Sequence, residues 1–325
     1  MLAEGAAPPI KRVEFGPPED PIVLGEETVL YRHERRFEHA PALALLVKDD
    51  ADEETFGQIL ARFQDLTFER VGEQLRPRLL AFQSDDAEFL ARRVRAALEA
   101  GVRGLMLISD LPEVLRTAGA AAREVRPLLC GARKDTFAAV AEIAADLGTA
   151  FVAQGRTWEE LQELGQAAIS KNISNMLFEP IVSAAGDALA AQVFLRRAAV
   201  RDKVKSLGFP AVAFPCRLAP ESLLQTVIAA ALVAKYAGVV VMDTFDPACV
   251  LSVLTLAQGL YTDPQKPMMV EPGIYPVDNP GPESPVLLTT NFSLTYYTVT
   301  GEVENSKIPA WLLVMDAEGQ SVLTA

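Results

Sequence analysis

The sequence predicts an α/β fold: a closed (β/α)8 TIM barrel, preceded by a β-hairpin and followed by the beginning of a second α/β domain. Three observations carry this. Between residues 41 and 261, short apolar runs alternate with longer amphipathic segments rich in Ala, Leu, Glu and Arg. The runs are continuous rather than alternating apolar and polar, as strands buried on both faces are, which implies a parallel sheet covered by helices. A Pro-rich stretch at 262–284 then interrupts the rhythm, and a βαβ-like pattern resumes over 285–325.

Residues 1–40 read as a linker and a hairpin. In "IVLGEETVLYRHERRF" (22–37), two β-rich runs flank the turn Gly25-Glu26-Glu27. The expected barrel strands are "ALALLV" (42–47), "RLLAFQ" (78–83), "GLMLIS" (104–109), "RPLLCG" (126–131), "TAFVAQ" (149–154), "NMLFEP" (175–180), "AVAFPC" (211–216) and "VVVMDT" (239–244). Helical patterns lie between them. "DDAEFLARRVRAALEAG" starts acidic and ends at Gly101, and "KDTFAAVAEIAADLG" closes at Gly148. Acidic starts and glycine stops are what orphan amides and the helix macrodipole favour. Eight such units in roughly 210 residues match a closed barrel in count and length. A doubly wound open sheet is the rival. It usually has fewer strands and a Gly-rich phosphate loop, and neither GxGxxG nor GxxxxGK[ST] occurs here.

In the 262–284 segment, proline recurs every few residues, so no helix runs through it and a central strand is not expected. Then come "PVLLTT" (285–290), a mixed segment, and "PAWLLVMD" (309–316). This is long enough for a crossover but cannot bury a core alone. It reads as the opening of a second domain that stops inside its next helix.

A formal net charge of −13 disfavours a nucleic-acid partner. No run reaches the ~18 uncharged residues of a membrane span. The longest candidate, "LLQTVIAAALVAKYAGVVVM", contains Gln225, Lys235 and Gly238 and divides into a helix and a strand. The N-terminus lacks an apolar signal region, so a cytoplasmic location is expected. Cys130, Cys216 and Cys249 are scattered, which argues against a disulfide framework or a metal cluster on these residues.

A barrel's active face is the C-terminal end of its strands. The residues following the runs are Lys48, Asp49 and Asp50; Ser84, Asp85 and Asp86; Asp110; Arg133, Lys134 and Asp135; Gln154 and Arg156; Glu179; Arg217; Asp243 and Asp246. Together they suggest a polar cleft for a small ligand, with general acid/base work as one use. Asp85, Asp110, Asp135 and Asp246 stand where helix N-caps stand, and capping is their expected role. Glu179 and Asp243 lie in or at the tips of strands and are the better site candidates. Cys216 adjoins Arg217, a neighbour that lowers a thiol pKa. His33 and His39 lie near the hairpin, in no metal-ligand or triad spacing. The loop Asp316–Ser321, a strand end with a glycine leading toward a helix, reads either as a cofactor-receiving loop or as a plain turn.

"LLTTNFSLTYYTVTGEVENSKIPAWLLVMDAEGQSVLTA" strongly resembles the large (gamma) subunit of the corrinoid iron–sulfur protein of the CO dehydrogenase/acetyl-CoA synthase system. So do "APPIKRVEFG", "GEETVLYRHERRFEHAPALAL" and "FERVGEQL", and the similarity runs essentially the whole length. The resemblance implies an N-terminal 4Fe–4S domain, which this sequence lacks, then the barrel, then a Rossmann-like corrinoid-binding domain, here only begun. It implies a methyl carrier of the reductive acetyl-CoA pathway, taking a methyl group from a methyl-tetrahydropterin and passing it on. The implied partners are the small (delta) subunit as a heterodimer, the pterin methyltransferase and acetyl-CoA synthase. The implied cofactor is a corrinoid (cobamide), held by Thr290, Thr295, Gly319, Gln320, Ser321, Val322, Leu323 and Thr324. Small residues such as Thr324 would let the ring approach without offering a ligand nitrogen. The barrel would be mainly a scaffold. The alternative is a free-standing barrel methyltransferase or pterin-binding enzyme using Asp110, Glu179 and Asp243.

Overall fold

The structure, a computed structural model, describes residues 8–47, 49, 51–262 and 268–317. They form two compact units. One comprises the residues through Thr67 together with Arg76–Tyr261; the other comprises Phe68–Leu75 and the residues from Thr262 onward.

The first unit opens with β1 (Val13–Phe15) and β2 (Ile22–Leu24). The first half of the barrel is β3 (Ala42–Val47), α1 (Glu53–Asp65), β6 (Leu79–Gln83), α2 (Ala87–Glu99), β7 (Leu105–Ile108), α3 (Pro112–Ala121), β8 (Leu128–Ala132) and α4 (Phe137–Leu147). The second half is β9 (Phe151–Gly155), α5 (Trp158–Ser170), β10 (Met176–Pro180), α6 (Ala185–Val200), β11 (Ala211–Ala213), α7 (Ser222–Ala234), β12 (Ala237–Met242) and α8 (Pro247–Tyr261). All eight strands are parallel, and β12 pairs with β3 to close the barrel. Each expected apolar run overlaps one of them, with β8 and β9 running one residue past their runs and β12 starting two residues early. The run at 211–216 yields only three strand residues, because Pro215 opens a 3-10 turn. The run at 126–131 becomes strand only from Leu128, since Arg126 adopts φ 44° and Pro127 follows it.

The N-terminal hairpin is offset from its expected position. β1 pairs antiparallel with β2, Val13 opposite Leu24 and Phe15 opposite Ile22. Gly25 ends β2 instead of turning the hairpin. It holds φ +90°, and a Cβ there would lie 1.9 Å from the Lys11 carbonyl oxygen. No strand forms in 28–40; the charged stretch turns at Tyr31–Glu34 and sends Glu27 inward against Arg196 at 3.2 Å. Val13, Phe15, Ile22 and Leu24 pack with Ala42, Ala44, Ala81 and Ala150 of the barrel core. These small barrel residues leave room for the larger hairpin side chains. Polar contacts fasten the hairpin to the start of the strands: the Gly16 amide donates to the Arg126 carbonyl, Glu14 exchanges two hydrogen bonds with Asn175, and Arg78 reaches Asp20. The hairpin therefore closes the N-terminal end of the barrel and leaves the C-terminal end for chemistry.

The second unit contains a hairpin the sequence did not announce, β4 (Phe68–Arg70) with β5 (Glu73–Leu75). Val71 and Gly72 turn it with φ of 55° and 78°, as a primed turn requires. The main sheet is β13 (Gly273–Val277), β14 (Val286–Thr290) and β15 (Ala310–Met315), in the order β13-β15-β14. β14 and β15 are parallel and joined by α9 (Ser293–Ser306); β13 is antiparallel to β15. β13 carries Pro276 on an edge, the place a sheet tolerates a missing N–H donor. Val277, Val303, Ala310, Leu312 and Val314 form this unit's core. Among the described residues no helix is long and apolar enough to cross a membrane.

Candidate functional site

Two clusters of polar groups stand at the C-terminal ends of parallel strands, one in each unit. In the barrel, Glu179 of β10 is 3% exposed. Its carboxylate accepts from Arg217 at 2.6 Å, from Gln154 Nε2 at 2.7 Å and from the Cys130 thiol at 3.3 Å. The Arg217 guanidinium also lies 3.7 Å over the Phe214 ring. Burial, and then the Glu179 carboxylate, push the Cys130 thiol well up, so it stays protonated. The Gln154 Oε1 is buried without a partner. Neighbouring strands carry a second group: Asp85 accepts from the Ser109 hydroxyl at 2.6 Å and from the Asp110 amide at 3.1 Å, while Arg133 holds Asp110 at 2.6 Å. Asp243 is tied to Gln225 at 2.6 Å.

Several expectations change here. Of the four aspartates placed as caps, only Asp246 acts as one, accepting from the Ala248 amide at 2.8 Å. Asp86, not Asp85, caps α2 through the Phe89 amide at 2.9 Å. The residues before α3 and α4 are Leu111 and Thr136, so Asp110 and Asp135 fall one position too early to cap. Arg217 does not activate Cys216: burial outweighs its charge, and that thiol is pushed up to about 12. Lys134 pairs with Glu163 at 2.6 Å on the surface, and Arg156 offers only its backbone amide, to Glu160 at 2.7 Å. Ser84 accepts from the Asp86 amide at 3.1 Å, and Asp49 is exposed. Lys48 and Asp50 lie outside the described residues. His39 binds Glu26 at 2.7 Å and His33 stacks on Tyr31. Among the described residues no three His, Cys, Asp or Glu gather to hold a metal.

In the second unit the ends of β14 and β15 lie side by side, Thr290 opposite Met315. Thr290 is half-buried, and Thr295 is exposed in the first turn of α9. Gly319, Gln320, Ser321, Val322, Leu323 and Thr324 lie outside the described residues. The residue that organises this end is Asn291, which sequence reading passed over. It is 4% exposed, and its Oδ1 accepts from the Ala317 amide at 2.9 Å while its Nδ2 reaches Asp316 at 3.5 Å. One amide side chain thus pins the loop after β14 to the loop after β15. An asparagine directly after a strand was the available signal. Beside it, Val71, Met268, Phe292, Ser293, Leu294 and Tyr297 line an apolar cavity of about 480 Å³. The Ser293 hydroxyl is buried without a partner.

A model of the family described as CO dehydrogenase/acetyl-CoA synthase delta subunit matches residues 12–325. The chain is 35% identical to the corrinoid/iron-sulfur protein large subunit of Moorella thermoacetica, over all of this chain and 73% of that protein. It is 33% identical to the acetyl-CoA decarbonylase/synthase complex subunit gamma of Methanothermobacter thermautotrophicus, over 97% of this chain and 72% of the relative. Among solved structures, the 7,8-dihydropteroate synthase of Vibrio fischeri superposes with a TM-score of 0.55 at 10% identity, covering 78% of this chain and 100% of that one. That likeness shows the barrel fold alone. The matches over nearly all of this chain decide the family: the chain belongs with the corrinoid/iron–sulfur protein large subunits and acetyl-CoA decarbonylase/synthase gamma subunits.

Proposed function

We propose that the chain is the methyl-carrier subunit of the reductive acetyl-CoA pathway, its barrel serving mainly as scaffold and its second unit as the floor of a corrinoid site. The observation that carries this reading is the paired ends of β14 and β15, pinned by Asn291, in a chain that matches corrinoid/iron–sulfur large subunits throughout. The local residues suit a large flat ligand. The 480 Å³ cavity at the start of α9 is walled by apolar side chains, and the unpartnered Ser293 hydroxyl offers one hydrogen bond to a ligand amide. Both histidines, His33 and His39, belong to the other unit, so the described residues here supply no imidazole.

In this reading Thr290, Thr295, Gly319, Gln320, Ser321, Val322, Leu323 and Thr324 hold the corrinoid. When bound, that group supplies a cobalt centre able to accept and release a methyl group. The chain's residues contribute shape and exclusion of water. Thr290 and Thr295 present small hydroxyl side chains, and Phe292 and Tyr297 offer ring surface. The partners are the small (delta) subunit, a methyl-tetrahydropterin methyltransferase and acetyl-CoA synthase.

The free-standing enzyme reading has less support. Asp110, Glu179 and Asp243 are each tied to a different partner, and the cavity beside Glu179 and Arg217 measures about 50 Å³. Small-molecule sites usually need several hundred. Anaerobic incubation with cobalamin and the small subunit, followed by gel filtration, tests the proposal. Corrinoid absorbance travelling with the chain supports it. Tight binding of methyltetrahydrofolate by the chain alone, with no corrinoid retained, overturns it in favour of the enzyme.

A further inference from the structure

A cavity of about 430 Å³ opens at the N-terminal rim of the barrel, beside the hairpin. Two other cavities of this unit, one beside Glu27 and one beside Glu179, measure about 30 and 50 Å³. Of the three, only the cavity at the rim reaches the several hundred cubic ångströms that small-molecule sites occupy. Its walls come from the hairpin turn, the C-terminal end of α1 and the residues that lead into β6 and β7. Part of the wall is apolar: Ile22, Phe63, Pro77 and Val102. The rest is cationic. Arg76, Arg78 and Arg103 stand against two carboxylates, Asp20 and Glu19, in a chain whose net charge is −13. The two arginine segments are held together by the start of the sheet. The Leu80 amide donates to the Gly104 carbonyl at 3.0 Å, and a Cβ at Gly104 would lie 1.8 Å from the Arg78 carbonyl oxygen, so glycine is required for this approach. Asp20 answers two of the cations, accepting from Arg76 at 2.8 Å and from Arg78 at 3.0 Å. Among the described residues Arg103 meets main-chain oxygens instead, that of Leu98 at 2.8 Å and that of Val102 at 3.4 Å, both through Nη1. One edge of its guanidinium is thus fixed, and the other is left for a ligand.

We propose that this cavity binds an organic phosphate of about nucleotide size, its phosphates among the arginines and its apolar part against Phe63 and Pro77. The site is independent of the corrinoid reading, because every wall residue belongs to the barrel unit. A phosphate carries several acceptor oxygens on one centre, so more than one guanidinium fork can share it. A carboxylate offers a single edge, and Asp20 already supplies one. An inorganic anion would leave the apolar wall in water. The C-terminal ends of helices disfavour a nearby anion. Here protein donors already cover the end of α2: Arg103 lies on the Leu98 carbonyl and the Gln64 amide on the Ala100 carbonyl. An occupant would join the hairpin turn to the starts of β6 and β7, so binding would stabilise the barrel at the end away from Glu179.

Titration calorimetry of the purified chain with ADP, at low ionic strength, tests the site. We expect one ADP per chain, a raised Tm, and at least tenfold weaker binding in ~0.5 M salt, where charge contacts are screened. Arg103→Ala should weaken ADP at least tenfold, and Arg103→Lys, which keeps the charge but not the fork, should restore only part of the loss. Should Arg103→Ala lower Tm by uncovering the end of α2, Thr67→Glu carries the test. It sets a carboxylate on the exposed cavity wall, leaves the arginines in place and should also weaken ADP at least tenfold. Arg92→Ala, at a solvent-exposed ion pair with Glu53, should leave ADP binding unchanged. Adenosine should not bind, and pyrophosphate should bind at least tenfold more weakly than ADP. Adenosine binding as tightly as ADP overturns the role of the phosphates. Pyrophosphate binding as tightly as ADP overturns the nucleotide-sized occupant. Wild-type ADP affinity in both Arg103→Ala and Thr67→Glu overturns the location, and no saturable binding of ADP at millimolar concentration overturns the site.

Discussion

Glu179 shows how much of the site depended on partners distant in sequence. Its place in a strand marked it, but Arg217, Gln154 and Cys130 lie 38, 25 and 49 residues away and come to it only through barrel closure. Arg217→Ala leaves a buried carboxylate without its cation and should cost about 3 kcal/mol in urea denaturation. Glu179→Gln removes the buried charge itself and should cost less. An equal or reversed order would show that the carboxylate is not charge-balanced by Arg217. The thiols make a second prediction. The fold favours the protonated Cys216, so this contribution is intact below the ordinary thiol pKa of about 9 and is lost as pH rises toward about 12. At pH 8 a thiol reagent should therefore reach Cys130 and Cys216 only on unfolding; fast reaction of either in the native protein would contradict this. Asn291→Ala strands the Ala317 amide and should cost about 2 kcal/mol. Hydrogen exchange at that amide should rise with it, and unchanged protection would refute the pinning role.

Among the elements, the barrel strands were legible because burial on both faces writes itself as a continuous apolar run. The hairpins were not. β1 and β2 are three residues each, too short for a period, and the β-rich "TVLY" drew the reading to a stretch whose Arg32, Glu34, Arg35 and Arg36 have no strand to join. β4 and β5 hide behind Val71, a β-branched residue in a left-handed turn that sequence rules assign to Asn, Asp or Gly. Cap positions failed by one residue at α2, α3 and α4, because capping depends on where the chain first turns helical and not on which aspartate comes first. A bulge in β8 was equally invisible. Its register shifts between Cys130 and Ala132, where Gly131 holds φ +147° and a Cβ would lie 1.8 Å from the Ser109 carbonyl oxygen. Gly131→Ala should cost about 3 kcal/mol or more, read as a fall in the denaturation midpoint. A neutral substitution would mean that the bulge is not needed to place Cys130 beneath Glu179.

On the scale of the whole molecule, the N-terminal hairpin stoppers one end of the barrel, and the separate ion pairs Glu179–Arg217 and Asp110–Arg133 stand at the other. What remains for recognition is the uncharged outer face of α7, the arginine-lined cavity beside the hairpin and the paired strand ends of the second unit. That distribution suits the proposed carrier scaffold, which needs surfaces for partners and a floor for a cofactor. The longest apolar candidate, "LLQTVIAAALVAKYAGVVVM", divides as expected into a helix, α7, and a strand, β12, but only the fold separates the buried face of α7 from its exposed one. The most direct test of the carrier reading is corrinoid content after gel filtration of the chain reconstituted anaerobically with cobalamin and the small subunit. We predict about one corrinoid per chain for the wild type, and at least a tenfold loss for Thr290→Arg with the subunit pairing intact. A chain that pairs with the small subunit yet retains no corrinoid, or retains it equally with arginine at position 290, would contradict the account.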